Sequence, residues 1–336
     1  MARYTLIPEK GYATVMNQMI VPGLKPFHES GTLEVSPGHP IRWDYYSCPD
    51  ARGSIIISHG FIESGFKFIE MVYYFRQMGL NVCTVDHRGH GHSYRAVKDP
   101  STTDADRFYD YVDDLHGIIT EILMKKGNGP YLLYAHSMGG AIGACYLKQH
   151  PGVISGAIFN APMIRAQTGG LPLWAANAIA KTAIRFGQGE KMVFVHKIYD
   201  PEESFEQSAA TSRARFDWYS GVRRNNVCYR NNGASYKWLR ETVGVCRELT
   251  GKEGAKGIDI PCVFYIAQKD TFVVSSEIRA FAAKIPHART ITIPASKHEI
   301  YRSGNEALTI YLNSIEDFID QIALREPASV PEEKKD

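Results

Sequence analysis

The sequence predicts an α/β fold: a mostly parallel central sheet, helices on both faces, and a helical insertion over one edge. Three observations carry this. Short continuous apolar runs, such as GSIIISHG (53–60) and NVCTVD (81–86), read as strands buried on both faces. Segments with helical spacing alternate with them, which makes successive strands parallel and their crossovers helical. The alternation breaks between about residues 164 and 250, where helices and loops replace strands. The 336 residues suffice for one large domain carrying such an insertion. The chain therefore divides into a first core half (1–163), an insertion (164–250), a second core half (251–324) and a tail (325–336).

In chain order, GTLEV (31–35) and IRWDYYS (41–47) alternate in character and predict a leading antiparallel pair. GSIIISHG follows as a strand. FKFIEMVYYFRQMG (66–79) has helical spacing and stops at Gly79. After NVCTVD comes TDADRFYDYVDDLHGIITEILMKKG (103–127), a long amphipathic helix with acids at its start and lysines at its end, the order that suits the helix dipole. PYLLYA (130–135), MGGAIGACYLKQH (138–150) and ISGAIFNA (154–161) read as strand, helix, strand. Beyond the insertion, PCVFYIA (261–267), SSEIRAFAAKI (275–285), RTITIPA (289–295) and EALTIYLNSIEDFIDQIAL (306–324) continue as strand, helix, strand, helix. The charged, proline-containing tail REPASVPEEKKD is expected to be disordered.

Composition excludes several classes. A formal net charge of +2 is too small for a general nucleic-acid binder. No run reaches the ~18 apolar residues of a membrane span, and the N-terminal stretch lacks the basic start and apolar core of a signal peptide. The six cysteines are scattered, without a CxxC, and read as reduced thiols. The expectation is a cytoplasmic protein, with peripheral contact at the inner face of the membrane left open.

The chemistry concentrates in YLLYAHSMGGA (131–141). Ser137 lies between a strand ending at Ala135 and a helix starting near Met138, in a small-x-Ser-x-Gly frame. A serine on so sharp a turn projects its hydroxyl out of the sheet, and the Met138 N–H at the helix N-terminus is free to meet an oxyanion. A helix N-cap would account for Ser137 alone. A nucleophile also needs a base and an orienting acid. Asp270 follows the strand PCVFYIA and His298 follows RTITIPA, so the order Ser, Asp, His places all three at one sheet edge. The second oxyanion donor is expected from HGFIES (59–64), with Gly60 turning the chain, the Phe61 N–H facing the reacting oxygen and His59 bracing the loop.

VDHRGHGHSYR (85–95) raises a rival reading. His87, His90 and His92 beside Asp86 are ligand types for zinc or iron, while a tight glycine turn accounts for the same residues. Spacing alone does not decide between them.

HGFIESGFKFIEMVYYFRQMGLNVCTVDHRGHGHS, FYDYVDDL, AHSMGGAI, FNAPM, ASYKWLRE and KHEIYR resemble the bacterial lysophospholipase and monoacylglycerol-lipase branch of the α/β-hydrolases over about residues 30–322. The resemblance implies an α/β-hydrolase fold with a helical cap, Ser137 as nucleophile, Asp270 as acid, His298 as base, and Phe61 and Met138 as oxyanion hole. It implies a D-x-R-G-x-G-x-S turn held by hydrogen bonds from Asp86 and Arg88, with no metal and no cofactor. Asp113 and Asp114 are then expected to bond a neighbouring loop, Glu63 to make a structural contact, and Cys145 to be core.

The insertion divides in two. GGLPLWAANAIAKTAIRFG (169–187) is apolar, as an acyl-chain tunnel requires, although packing on the sheet would explain it equally. Residues 211–240 hold seven basic residues against one acid, Asp217. Arg223 and Arg224 are the candidate contacts for a phosphate-bearing substrate or an anionic lipid surface, unless acids of 200–206 neutralise them. The expected activity is ester hydrolysis on a lysophospholipid or monoacylglycerol through an acyl-enzyme. A carboxylesterase for small non-lipid esters, and a non-enzymatic binding protein on the same fold, remain open.

Overall fold

A computed structural model describes residues 2–324; the expected disordered tail (325–336) lies outside the described residues. The central strands are buried on both faces, so alternate side chains enter two cores. Ile56, Cys83, Leu133 and Phe264 point to one, and Ile55, Ile57, Val82, Tyr134 and Tyr265 to the other. That is the physical reason these segments read as continuous apolar runs rather than alternating ones.

The sheet contains β1 (His28–Ser36), β2 (His39–Tyr46), β3 (Ser54–Ser58), β4 (Asn81–Val85), β5 (Tyr131–His136), β6 (Gly156–Asn160), β7 (Cys262–Ala267) and β8 (Ala288–Ile293). Their order is β1-β2-β4-β3-β5-β6-β7-β8. β2 pairs antiparallel with β1 and β4, and every later pairing is parallel. The leading antiparallel pair and the mostly parallel sheet are as the sequence predicts.

Among the described residues the longer helices are, in chain order, α1 (Ile69–Gln77), α2 (Tyr109–Ile118), α3 (Met138–Gln149), α4 (Leu173–Arg185), α5 (Arg213–Asn225), α6 (Tyr236–Thr250), α7 (Ser275–Ala282) and α8 (Asn305–Ala323). α1 and α8 cover one face; α2, α3 and α7 cover the other. Between β6 and β7 run α4, α5 and α6. α6 packs on α4 and reaches α3 and α7.

Two segments differ from expectation. The helix predicted from residue 103 begins at Tyr109, because Thr102–Thr103 instead form a short parallel ladder with Gly233–Ala234. Asp104 then accepts a hydrogen bond from the Ser235 hydroxyl, so tertiary contacts override a locally helical pattern. The second is an unanticipated helical segment over 12–24. Its Tyr12, Met16, Ile20 and Leu24 recur every four residues and are all buried. It docks on α5, where Trp218 donates to Asn17 at 2.9 Å. All six cysteines are free thiols. Among the described residues no helix is long and apolar enough to cross a membrane.

Candidate active site

Ser137 sits at the junction of β5 and α3 with φ 50° and ψ −115°, a conformation that costs a non-glycine residue about 1–3 kcal/mol. The junction is this tight because α3 crosses β3 at close range. A Cβ on Gly139 would lie 2.1 Å from the Ser58 carbonyl oxygen, so only glycine fits. The Ser137 N–H donates to the Asn160 carbonyl at 3.2 Å and its carbonyl accepts from Met163 N–H at 2.8 Å, which pins the turn against β6. Its side chain makes no helix-capping bond. The hydroxyl instead lies 2.8 Å from His298 Nε2.

His298 Nδ1 lies 2.8 Å from Asp270 Oδ2. With Nδ1–H donating to the carboxylate, Nε2 is left to accept the serine proton. Asp270 Oδ1 is held by the N–H groups of Phe272 and Val273, at 2.8 and 3.1 Å. Burial alone would raise its pKa, but the hydrogen bonds from His298 and the two amides hold the carboxyl below its usual range. Phe272 stacks on the imidazole with ring centroids 5.0 Å apart. The three residues named from the sequence, each just beyond a parallel strand, therefore meet in one relay at the C-terminal edge of the sheet.

The loop after β3 faces this relay. A Cβ on Gly60 would lie 2.7 Å from Glu63 Oε2 and 3.0 Å from Ser137 Cβ, so a side chain there would crowd Ser137. Gly60 N–H donates to Glu63 Oε2 at 2.6 Å, and Ile62 N–H donates to His90 Nε2 at 3.3 Å. Among the described residues the Phe61 N–H between them donates to no protein acceptor. Its direction is set by His59, whose Nδ1–H donates to the Gly60 carbonyl at 2.7 Å. In a trans peptide the following N–H points opposite that carbonyl. His59 Nε2 in turn accepts from His87 N–H at 2.9 Å, so His59 braces the loop against the next turn.

That turn also explains the histidine cluster. Asp86 accepts from Gly65 N–H at 2.7 Å and from His92 N–H at 2.8 Å, while Arg88 makes a two-pronged pair with Asp114 and a further one with Asp110. Asp86, Arg88 and Asp114 thus bond as expected, and Asp110 joins them, whereas Asp113 is exposed and makes no such bond among the described residues. The histidines point to separate partners: His87 to Ser58 Oγ at 2.8 Å, His90 to Ile62 and Arg88, and His92 toward Cys228 and Tyr229. Burial pushes His87 and His90 well below the usual imidazole range, so both are neutral braces.

Arg223 requires a correction. Its guanidinium is buried, paired with Glu203, and donates to the carbonyls of Tyr229 and Asn231 at 3.0 and 2.7 Å. Each of its three guanidinium nitrogens bonds within the insertion, so Arg223 holds that segment together rather than facing solvent; Arg224 is exposed. Most of the basic run is neutralised in the same way. Arg213 pairs with Asp217, Arg215 with Glu70, Lys237 with Asp106 and Glu190, and Arg240 with Glu241.

Of the ions behind the relay, only Glu63 was expected from the sequence to make a structural contact; Lys67, Glu299 and Arg302 were assigned no role. Glu63 accepts from Lys67 Nζ at 2.8 Å and from the Tyr301 hydroxyl at 2.6 Å, and Lys67 also donates to Glu299 at 2.6 Å. Glu63 and Lys67 stand four apart and Glu299 and Tyr301 lie in KHEIYR beside His298, but Glu63 lies in the loop before a 3-10 turn over Gly65–Phe68, so proximity in sequence was the only signal. Insertion residues close over the loop, with Trp238 of α6 packing on Phe61 at 4.3 Å between ring centroids.

The family model described as serine aminopeptidase, S33, matches residues 49–305, more than half of the chain. The chain belongs to the serine aminopeptidase S33 family. This S33 protein is 27% identical to the probable lysophospholipase L2 of Haemophilus influenzae over 279 residues, 80% of this chain and 84% of that protein. It is 28% identical to lysophospholipase L2 of Escherichia coli over 296 residues, 84% of each chain. Its fold is that of a solved monoglyceride lipase from Saccharomyces cerevisiae, with a TM-score of 0.69 at 18% identity, over 88% of this chain and 96% of that one. The α/β-hydrolase fold and the lysophospholipase and monoacylglycerol-lipase resemblance stated from the sequence are borne out.

Proposed function

We propose that this protein is a serine hydrolase that cleaves the carboxylic ester of a single-chain lipid, a lysophospholipid or a monoacylglycerol. The observation that carries the reading is the Ser137–His298–Asp270 relay, 2.8 Å at each step, beside a Phe61 N–H that donates to no acceptor among the described residues. Ser137 Oγ attacks the ester carbonyl while His298 Nε2 takes its proton. Asp270 stabilises the imidazolium and fixes its tautomer. The Phe61 and Met138 N–H groups receive the developing oxyanion. His298 then protonates the leaving glycerol oxygen, and water attacks the acyl-serine by the same route in reverse. These steps consume only water and need no cofactor.

The lipid assignment rests on the similarity to the two lysophospholipases and the monoglyceride lipase, and on the insertion. Segment 164–250 is read as a cap over the site. Its apolar side chains Leu171, Trp174, Phe186, Phe194, Val195 and Ile198 are exposed, which suits peripheral contact with a lipid surface. Of the two arginines first considered, only Arg224 remains available to a phosphate-bearing head group. An aminopeptidase would need a carboxylate to anchor the substrate's α-ammonium, and the acids beside the relay, Glu63 and Glu299, are already taken by Lys67.

Turnover of lysophosphatidylcholine, monoacylglycerol, short nitrophenyl esters and an aminoacyl-anilide tests the reading. It predicts a kcat/KM for a long-chain single-chain lipid that exceeds the short esters and the anilide. A preference for short esters or for the anilide would overturn it.

A further inference from the structure

Behind the relay lies a buried ion cluster that joins three separate parts of the chain. Lys67 is its centre. The Lys67, Glu63, Glu299 and Arg302 side chains are respectively 6%, 3%, 12% and 9% exposed. Two acids face two bases, so the cluster is balanced, as a buried set of charges must be. Glu63 Oε1 accepts from Lys67 while Oε2 holds the Gly60 N–H, one peptide before the Phe61 donor. Glu299, the residue after His298, accepts from Lys67 on one oxygen and pairs with Arg302 through the other. Lys67 Nζ also lies 5.4 Å from the centre of the Tyr219 ring on α5. The cap side is tied in by backbone as well: Glu299 N–H donates to Ala209 at 3.0 Å, Ser212 N–H donates to Arg302 at 3.1 Å, and Arg302 Nη2 donates to the Arg215 carbonyl at 3.1 Å.

The geometry points to Lys67 as a positioning residue that holds the oxyanion loop in register with the His298 loop beneath the cap. This rests on the function proposed above and extends it to a residue that touches no reacting atom. The residue type fits the task. A compact ammonium with three donors can bridge two carboxylates that lie in different directions, whereas a planar guanidinium favours one carboxylate held two-pronged. The consequence follows from the tolerance of the site. An oxyanion donor works only at hydrogen-bond distance from the tetrahedral oxygen, and a misplacement of about 1 Å costs about a hundredfold in rate. Without Lys67, Glu299 keeps Arg302 but Glu63 keeps only the neutral Tyr301 and Gly60 donors, so two buried carboxylates share one cation and the bridge between their loops is lost.

The test compares Lys67→Met with Lys67→Arg, using active sites counted by fluorophosphonate titration so that unfolded protein does not enter kcat. Three quantities are read: kcat, KM for a monoacylglycerol, and the Ki of an alkyl trifluoromethyl ketone, whose adduct places an oxyanion in the hole. Lys67→Met should lower kcat by about 10- to 100-fold with KM changed by less than about threefold. Affinity for the ketone should fall by the same factor as kcat/KM, and Lys67→Arg should recover most of both. Should Lys67→Met fail to fold, the charge-balanced variant Lys67→Met/Glu299→Gln carries the same comparison. Titrated sites that turn over at the wild-type kcat, or a fall in kcat with no change in ketone affinity, overturn this inference while the proposed function stands. A wild-type protein that neither hydrolyses esters nor takes up the fluorophosphonate overturns the function and this inference with it.

Discussion

Ser137 and Arg223 mark the two ends of what a single residue's neighbourhood reveals. Ser137 is legible because everything it needs is local: a strand before it, a helix after it, and small residues where β3 passes 2.1 Å from a Cβ on Gly139. Arg223 is not, because its partners are chosen by the tertiary fold. Glu203 lies 20 positions away, and two backbone carbonyls complete the shell. A sequence shows the charge of an arginine but not whether that charge is spent. Arg223→Gln should therefore destabilise the protein by about 2–3 kcal/mol, the cost of leaving a part-buried carboxylate and two carbonyls unpaired. It should change KM for lysophospholipid and monoacylglycerol equally. Urea denaturation with parallel kinetics on both substrates checks this; a selective rise in KM for the phosphate-bearing substrate at unchanged stability would restore the substrate role.

At the scale of elements, the turn after β4 and the N-terminal helix are instructive together. The turn was legible as a glycine-rich closure, and its reason is steric. Gly91 has φ +51°, and a Cβ there would lie 1.9 Å from Asp86 Oδ2, the oxygen that accepts the His92 N–H. Gly91→Ala should thus cost roughly 3–5 kcal/mol, combining left-handed strain with displacement of a buried carboxylate. Denaturant unfolding measures it directly, and a loss below about 1 kcal/mol would mean that the turn relaxes freely. What the sequence reading left out was the wiring of the histidines into the loop after β3, since a ring nitrogen's partner has no linear signature. The helix over 12–24 was missed although its four-residue apolar spacing was there to be read. The helix expected from 103 was over-extended, because residues 102–104 are claimed by 233–235.

For the whole molecule, the alternation of buried strands and helices was enough to give the parallel sheet, since each strand's sequence records burial on both faces. It could not give the buried titratable groups packed between sheet, insertion and loops, and these should govern the acid side of stability. Burial holds His136, just before Ser137, down to about 4 from 6.5. His59, His87 and His90 are lowered in the same direction by the same cause. As pH falls below 6.5 the unfolded chain takes up these protons before the folded one does. Stability is therefore complete above 6.5 and is lost toward 4, by on the order of 3 kcal/mol for His136 alone. Glu63, lowered to about 2 from 4.5 beside Lys67, extends the loss as the pH falls further through that range. Melting curves from pH 7 to pH 4 should show a steady decline, and His136→Gln should flatten part of it. A wild-type profile that is level across this range would contradict the neutral, buried state assigned to these histidines.

The central claim is that a single serine, activated by His298 and Asp270, carries the acyl group of a lipid ester. It is tested most directly by stoichiometric labelling with a long-chain alkyl fluorophosphonate, peptide mapping of the adduct, and fatty-acid release from monoacylglycerol assayed on the same samples. The account predicts one adduct per chain on Ser137, fatty-acid release lost in proportion to labelling, and neither labelling nor turnover in Ser137→Ala. Release that survives complete labelling of Ser137, or an adduct that forms on another residue and abolishes release, would contradict it.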